Sequence, residues 1–195
     1  MTETPPLRLA RSIVMVGLMG AGKTSIGRRL AQKLHVPFID SDTEIEKAAN
    51  ETIAEIFARD GEAVFRAGER RIIARLLDGP VQVLATGGGA FMDPSTRERV
   101  RQRGISVWLR ADLETLLERT SRRQNRPLLA NGDPRAVLSR LIETRHPVYA
   151  EADITIDSLA SPTDTTVQRL LGALTELAGP SGVIDRRPAR QEAVS

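Results

Sequence analysis

Short, continuous apolar runs alternate along the chain with longer stretches in which apolar residues recur at helical spacing. The runs predict five strands, at residues 12–16, 36–39, 81–85, 105–109 and 154–156. The longer stretches have one apolar face, as Ile26, Leu30 and Leu34 illustrate. They predict helices at 22–34, 43–49, 52–77, from Pro94 onward, 112–120, 134–149 and 163–178, with Gly61 interrupting the third of them.

This alternation predicts an α/β fold with a doubly wound parallel sheet, in which five strands lie between two layers of helices. Strands without polar alternation are typical of such sheets, since both of their faces are buried. Ligands bind these folds at the carboxyl ends of the strands. We expect a single domain over residues 11–178, with a flexible tail at 1–10 and a disordered tail at 179–195, where prolines and charges replace the apolar pattern.

Composition narrows the class of protein further. The 195 residues suit one domain and include no cysteine, so disulfides and thiolate metal sites are excluded. No apolar stretch approaches the length of a membrane span, and the expected location is the cytoplasm. The net charge is +3, with a pI of about 9.9, but aromatic residues make up only 3%. This bias suits either nucleic acid or anionic small molecules, but the few aromatic residues offer no stacking platform, so we expect no binding to nucleic acid or membranes. We also expect a monomer, for which no sequence feature gives a signal.

The segment GLMGAGKT, residues 17–24, lies between the first strand and the first helix, as a phosphate-binding loop does. Its glycines, at 17, 20 and 22, permit backbone conformations in which successive N–H groups face one concavity. The helix N-terminus behind the loop also attracts anions. Lys23 supplies a charge for the β- and γ-phosphates, and Thr24 a hydroxyl for Mg²⁺.

Further candidate residues follow the second and third strands. Asp40 and Asp42 can hold Mg²⁺ through water and accept a hydrogen bond from an attacking hydroxyl, or the segment can cap the helix expected from residue 43. The glycines at 87–89 allow either a tight connection or close approach to a ligand. Because no acidic residue ends the third strand, the metal is assigned to Thr24 and Asp40.

The basic residues are open to two interpretations. Arg66 follows Phe65 on a predicted helix, and the residue types alone favour a solvated side chain. Residues 119–126 contain four arginines and form either a solvated loop or a lid, about 121–133, that delivers an arginine to the transferred phosphoryl group. Arg145 is either an ordinary cation near a helix end or part of a clamp for a substrate carboxylate. His35 and His146 lack ligand spacing and are interpreted as structural.

Together these segments resemble the shikimate kinase family, within the nucleoside-monophosphate-kinase-like group of phosphate-loop proteins. The resemblance covers roughly residues 11–178. It depends on the order and spacing of GLMGAGKT at 17–24, DSD at 40–42, GE-x-x-FR-x-x-E at 61–69, TGGGA at 86–90, RPLL at 126–129 and R-x-P-x-Y at 145–149.

The resemblance implies a phosphotransferase with an alcohol acceptor, which uses ATP and Mg²⁺ to phosphorylate the 3-hydroxyl of shikimate in aromatic amino acid biosynthesis. It implies ATP contacts from Gly20, Ala21, Gly22, Lys23, Thr24, Ser25, Arg119 and Arg126. It implies shikimate contacts from Asp42, Arg66, Gly87, Gly88, Gly89 and Arg145. Glu69 would orient the arginine clamp, Thr24 and Asp40 would hold the metal, and Lys23, Asp42 and Arg126 would be catalytic.

The chain departs from the family pattern at two places. The lid is unusually rich in arginine, and the expected adenine loop, 157–162, lacks the basic residue that some relatives place there. We expect direct in-line transfer without a covalent enzyme intermediate. The alternatives are another small-molecule kinase with this loop, such as a gluconate kinase, and a non-catalytic ATP-binding regulator.

Overall fold

A five-stranded parallel sheet forms the centre of the protein. The computed structural model describes residues 7–121, 133–158 and 162–184. Its strands are β1 (Arg8–Leu9), β2 (Ser12–Val16), β3 (Phe38–Asp40), β4 (Val83–Ala85), β5 (Gly104–Arg110), β6 (Ile154–Asp157) and β7 (Val183–Ile184). Five of them form the central sheet in the order β3–β4–β2–β5–β6, with every neighbouring pair parallel. The predicted fold class is therefore confirmed.

Helices cover both faces of the sheet. They are α1 (Lys23–Leu34), α2 (Ser41–Ala49), α3 (Ile53–Asp78), α4 (Pro94–Arg103), α5 (Leu113–Ser121), α6 (Pro134–Tyr149) and α7 (Thr163–Ala178). The β2–β3 and β4–β5 connections run in opposite directions across the sheet, so right-handed crossovers place α1 and α4 on opposite faces. Accordingly, α1 packs on α7, and α4 packs on α3. Within the described ranges, no helix is long and apolar enough to span a membrane.

The central strands are buried because helices cover them on both sides. Every residue of β2 is buried, and in β5 only Arg110 is exposed. The register aligns Val16 with Trp108 and Asp40 with Ala85, so these neighbouring strands end at one edge. That edge carries the segments in which the sequence analysis located most of the candidate chemistry.

Two helix boundaries differ from the sequence prediction or refine it. Helix α2 begins at Ser41 rather than at 43, and its N-cap is Asp40, whose carboxylate accepts from the Asp42 amide. The segment 40–42 therefore does cap the helix, as the alternative interpretation allowed, and the capping side chain is that of Asp40. Helix α3 is interrupted at Gly61, with φ +79°, as predicted, since few other residues tolerate that backbone conformation.

The ends of the described chain pair with each other. Strands β1 and β7 form a separate two-stranded parallel sheet, in which Arg8 aligns with Val183 and Leu9 with Ile184. These paired residues fall within the predicted flexible tail, 1–10, and the predicted disordered tail, 179–195, and for them the prediction is wrong. Strands of two residues are not predictable from the hydrophobic pattern, because only backbone hydrogen bonds define them.

Candidate functional site

The loop after β2 has the backbone shape that a phosphate cradle requires. Gly17, Gly20 and Gly22 have φ values of +139°, +84° and +94°, a region that side chains strongly disfavour. A Cβ atom at Gly17 would lie 2.7 Å from the Leu109 carbonyl oxygen. Glycine is therefore required at Gly17 for space as well as for conformation.

Helix α1 begins directly behind this loop with an N-terminus suited to an anion. Its N-cap is Gly22, which has no side chain to occupy the first-turn N–H groups, and its first turn carries no acidic residue. The first intrahelical bond runs from the Ile26 amide to the Gly22 carbonyl, at 2.9 Å. The amides of Lys23, Thr24 and Ser25 therefore lack helical acceptors, as the predicted ATP contacts require.

Lys23 reaches back across the loop from the start of α1. Its Nζ atom donates to the carbonyl oxygens of Gly17, at 2.7 Å, and Leu18, at 2.9 Å. Its charge also lowers the pKa of Asp42, although other effects on that residue are larger. Lys23, which is predicted to bind the phosphates, is therefore close enough to Asp42, which is predicted to bind the acceptor, for its charge to affect that carboxylate.

The two residues predicted to hold the metal lie side by side. The hydroxyl of Thr24 donates to Oδ2 of Asp40, at 3.0 Å, while Oδ1 of Asp40 caps α2. Among the described residues, no group of three His, Cys, Asp or Glu side chains is arranged to hold a metal ion. Thr24 and Asp40 are thus a two-oxygen pair beside the phosphate loop.

Asp42 lies deeper in the site, among other carboxylates. Burial raises its pKa to about 6, with a further upward contribution from the charge of Asp40 and smaller ones from Glu69 and Glu46. A Cβ atom at Gly87 would lie 2.7 Å from Oδ1 of Asp42 and 2.9 Å from Oε1 of Glu69. The absence of a side chain at Gly87 is what allows these two carboxylates to approach the turn.

The Arg66 side chain lies against the glycine turn after β4, although its residue type alone favours a solvated side chain. Its Nη1 atom donates to the Glu69 carboxylate, at 2.7 Å, and its Nε and Nη2 atoms donate to Glu62, each at 3.3 Å. Glu69 is only 2% exposed, and its Oε1 atom has no hydrogen-bond partner among the described residues. Burial raises the pKa of Glu69, and the charge of Arg66 opposes that rise. Glu69 therefore orients the guanidinium, as the family resemblance implies.

The glycine turn after β4 packs against both arginines of the predicted clamp. A Cβ atom at Gly89 would lie 2.5 Å from Nη2 of Arg66, and one at Gly88 would lie 3.4 Å from Nη1 of Arg145. The hydroxyl of the buried Tyr149 donates to the Gly88 carbonyl. Burial raises the pKa of this hydroxyl to about 12, so it remains a donor at neutral pH. Tyr149 therefore connects the turn to α6, the helix that carries Arg145.

On the nucleotide side, Arg119 contacts the back of the phosphate loop. Its Nη1 atom donates to the Ser158 hydroxyl, at 2.8 Å, and to the Gly20 carbonyl, at 3.4 Å. Arg126 and nearly all of the predicted lid fall at 122–132, outside the described residues, as do residues 159–161 of the adenine loop. The structure thus brings together every predicted site residue that it describes.

Two residues of the site were missed by sequence reasoning. Tyr149 is the last residue of the R-x-P-x-Y segment, but the sequence analysis assigned a function only to Arg145 in that segment. Ser158 follows β6 at the carboxyl edge of the sheet, and that position was its only sequence signal. His146 packs edge-on against Trp108, with ring centroids 5.0 Å apart, as its structural interpretation requires.

A parallel α/β sheet with a phosphate loop after its first central strand, and with two arginines against the neighbouring glycine turn, is typical of a phosphate-loop kinase that acts on a small molecule. Comparison with known proteins gives the family. A family model described as shikimate kinase matches residues 19–175. Shikimate kinases from Paramagnetospirillum magneticum and Mesorhizobium japonicum are 59% and 54% identical over 86% and 85% of this chain, and over 86% and 81% of their own lengths.

A solved structure supports the same assignment. The shikimate kinase from Acinetobacter baumannii, in complex with shikimate, is 41% identical, with a TM-score of 0.82 over 85% of this chain and 93% of that chain. The chain belongs to the shikimate kinase family. The predicted enzyme class, a kinase that transfers phosphate to an alcohol group, is confirmed. The monomeric state and the cytoplasmic location stay predictions.

Proposed function

We propose that this enzyme transfers the γ-phosphoryl group of ATP to the 3-hydroxyl of shikimate, giving 3-phosphoshikimate and ADP. The supporting observation is the cluster in which Arg66 lies against Gly89 and Arg145 against Gly88, while Asp42 approaches the same turn at Gly87. Shikimate carries a carboxylate and several hydroxyls on one ring. Paired guanidinium groups bind a carboxylate in a fixed orientation, and a carboxylate such as Asp42 accepts from hydroxyls.

The donor half of the site holds the phosphates of ATP. The loop N–H groups, the N-terminus of α1 and the Lys23 ammonium provide positive charge around one concavity. Arg119 lies on the side of the loop where the base is expected, and Arg126 would approach from the lid. Because these charges are positioned before reaction, they stabilise the transferred phosphoryl group without reorganisation.

Mg²⁺ fits the oxygens of Thr24 and Asp40. Mg²⁺ prefers oxygen ligands and keeps several waters, so two protein oxygens beside bound phosphates suffice. The pair lies 3.0 Å apart, and no larger acidic cluster among the described residues competes for the ion. When bound, the ion neutralises charge that develops on the phosphate oxygens.

Asp42 acts on the acceptor hydroxyl in this proposal. Its pKa of about 6 leaves the carboxylate ionised at neutral pH, but far more basic than an ordinary aspartate. A base with a pKa close to the working pH takes up a proton efficiently as the hydroxyl attacks. The positive charge of Lys23 lowers the pKa of Asp42. The same lysine is proposed to bind the phosphates, so the protonation of Asp42 depends on a group on the phosphate side of the site.

The position of the transferred phosphate tests the proposal. The enzyme is incubated with ATP, Mg²⁺ and shikimate, and the product is examined by ³¹P and ¹H NMR. We expect phosphate on the 3-oxygen alone, and no ADP release with an analogue that lacks the 3-hydroxyl. Phosphate on another oxygen, or equal ADP release with the analogue, would contradict the proposal.

A further inference from the structure

Ser158 connects three parts of the structure through one buried hydroxyl. It follows directly on β6, is 1% exposed, and donates its amide to the Arg110 carbonyl, at 2.7 Å. Its Oγ atom donates to the Ala21 carbonyl, at 2.8 Å, and accepts from Nη1 of Arg119, also at 2.8 Å. The last strand of the sheet, the phosphate loop and helix α5 therefore meet at this side chain.

The bond to Ala21 restrains a flexible part of the phosphate loop. The Ala21 carbonyl and the Gly22 N–H belong to the same planar trans peptide, so they point in opposite directions. Gly22 has φ +94° and little intrinsic conformational preference. A hydrogen bond that holds the Ala21 carbonyl toward Ser158 thus holds the Gly22 N–H on the opposite side of the peptide, pointing away from Ser158.

The same hydroxyl orients Arg119. An arginine side chain loses substantial rotamer entropy when it is fixed, so an arginine that contacts a ligand binds better when it is already held. The donors of Arg119 meet the Ser158 hydroxyl at 2.8 Å and the Gly20 carbonyl at 3.4 Å. Ser158 provides the shorter of these two contacts.

We propose that Ser158 is a positioning residue for nucleotide binding, which aims the Gly22 N–H into the phosphate cradle and holds Arg119 at its base side. This proposal rests on the proposed nucleotide roles of the loop and of Arg119. Ser158 itself contacts no ligand in this account. It acts entirely through two hydrogen bonds within the protein.

Replacement of Ser158 by alanine, S158A, tests the proposal because alanine removes the hydroxyl and leaves the backbone contact to Arg110. We expect the Kd for ADP, measured by calorimetry, to rise about tenfold, because the free protein no longer holds the loop and Arg119 in place before binding, an effect of about the size of one hydrogen bond. The KM for ATP should rise in proportion, and the KM for shikimate should stay within about twofold. A merely structural role would not separate the two substrates in this way.

Two further variants control for effects on folding. Ser12 is also a buried serine in the sheet, 3% exposed, and its Oγ atom accepts from the Gln82 amide at the opposite edge, at 3.2 Å. Its replacement, S12A, should lower the melting temperature without changing ADP affinity. The variant S158T retains a hydroxyl and should retain affinity. If alanine prevents folding, S158C replaces S158A as the test, because a thiol is a much weaker hydrogen-bonding group and the same loss of ADP affinity is expected.

Several results would overturn the proposal. They are an ADP affinity of S158A within twofold of the wild type, an equal loss in S12A, an equal rise in both KM values, or a folded S158T that loses affinity as S158A does. The calorimetric readout needs no acceptor. Consequently, a wild type that binds ADP but does not phosphorylate shikimate would contradict the proposed function and leave this inference standing.

Discussion

The Thr24 hydroxyl donates a hydrogen bond to Oδ2 of Asp40, at 3.0 Å, and joins the helix behind the phosphate loop to the end of β3. The contact puts two magnesium-compatible oxygens at the boundary between the donor and acceptor halves of the site. In many phosphate-loop enzymes an acidic residue at the end of another strand helps to hold the metal. Here β4 ends at Ala85, and the residue that follows is Thr86, whose hydroxyl donates to the Met15 carbonyl.

Removal of the Thr24 hydroxyl should weaken the response to magnesium. We expect Thr24→Val to raise the Mg²⁺ concentration for half-maximal activity about tenfold, because one oxygen of the pair is lost. Thr24→Ser keeps the hydroxyl and serves as the control. The measurement is a Mg²⁺ titration at saturating ATP and shikimate, and an unchanged midpoint in the valine variant would show that Thr24 does not contribute to metal binding.

Arg66 should act on shikimate and not on ATP. Arg66→Lys keeps the positive charge beside Glu69 but loses the planar fork that pairs with a carboxylate. We expect the KM for shikimate to rise about tenfold or more, which corresponds to the loss of one charged hydrogen bond, with the KM for ATP within twofold.

Arg70 provides a matched control for this variant. It lies one turn further along α3 and pairs with Asp93, at 3.0 Å. Arg70→Lys should leave both KM values unchanged. A shikimate KM that responds equally to the two substitutions would mean that the effect comes from α3 in general and not from the clamp.

Asp42 should affect the rate of transfer. We expect Asp42→Asn to lower kcat at least about a hundredfold, the usual contribution of a positioned general base, while ADP affinity stays the same. Asp60→Asn, at an exposed carboxylate paired with Arg59, controls for the change of charge. If kcat changes less than about threefold and only the KM for shikimate rises, Asp42 binds the acceptor hydroxyl without taking its proton.

His146 should make the fold sensitive to acid. Burial, with a smaller contribution from the charge of Arg110, lowers its pKa below the ordinary value of 6.5. The unfolded state therefore binds the proton more readily, and the stability that neutral His146 provides is present above pH 6.5 and lost as the pH falls below it. The melting temperature should fall less between pH 7.5 and 5 in His146→Gln than in the wild type. Equal falls would contradict this role.

Local sequence patterns explain why much of the fold and the position of the phosphate loop were predictable. The buried strands are continuous apolar runs, and the phosphate loop is set by the spacing of three glycines before Lys23 and Thr24. These features depend on residues that are close in sequence. The backbone conformations found at the loop glycines are those that the spacing predicts.

Contacts between segments that are distant in sequence determine the positions of Arg66 and Ser158, which the residue types alone did not predict. Arg66 resembles a solvated arginine until the glycine turn, 23 residues further along, packs against its guanidinium. The Ser158 hydroxyl meets the Ala21 carbonyl across 137 residues. In such pairs neither residue type nor local spacing reveals the partner, because tertiary packing brings the two together. The family resemblance identified Arg66 but gave no role to Ser158.

A coupled ADP-release assay over a panel of acceptors tests the central claim most directly. The acceptors are shikimate, gluconate and nucleoside monophosphates, each offered with ATP and Mg²⁺ across the same concentration range. This account predicts saturable turnover with shikimate and background rates with gluconate and the nucleotides. Turnover with gluconate or a nucleoside monophosphate that exceeds turnover with shikimate, or no turnover with shikimate, would contradict it.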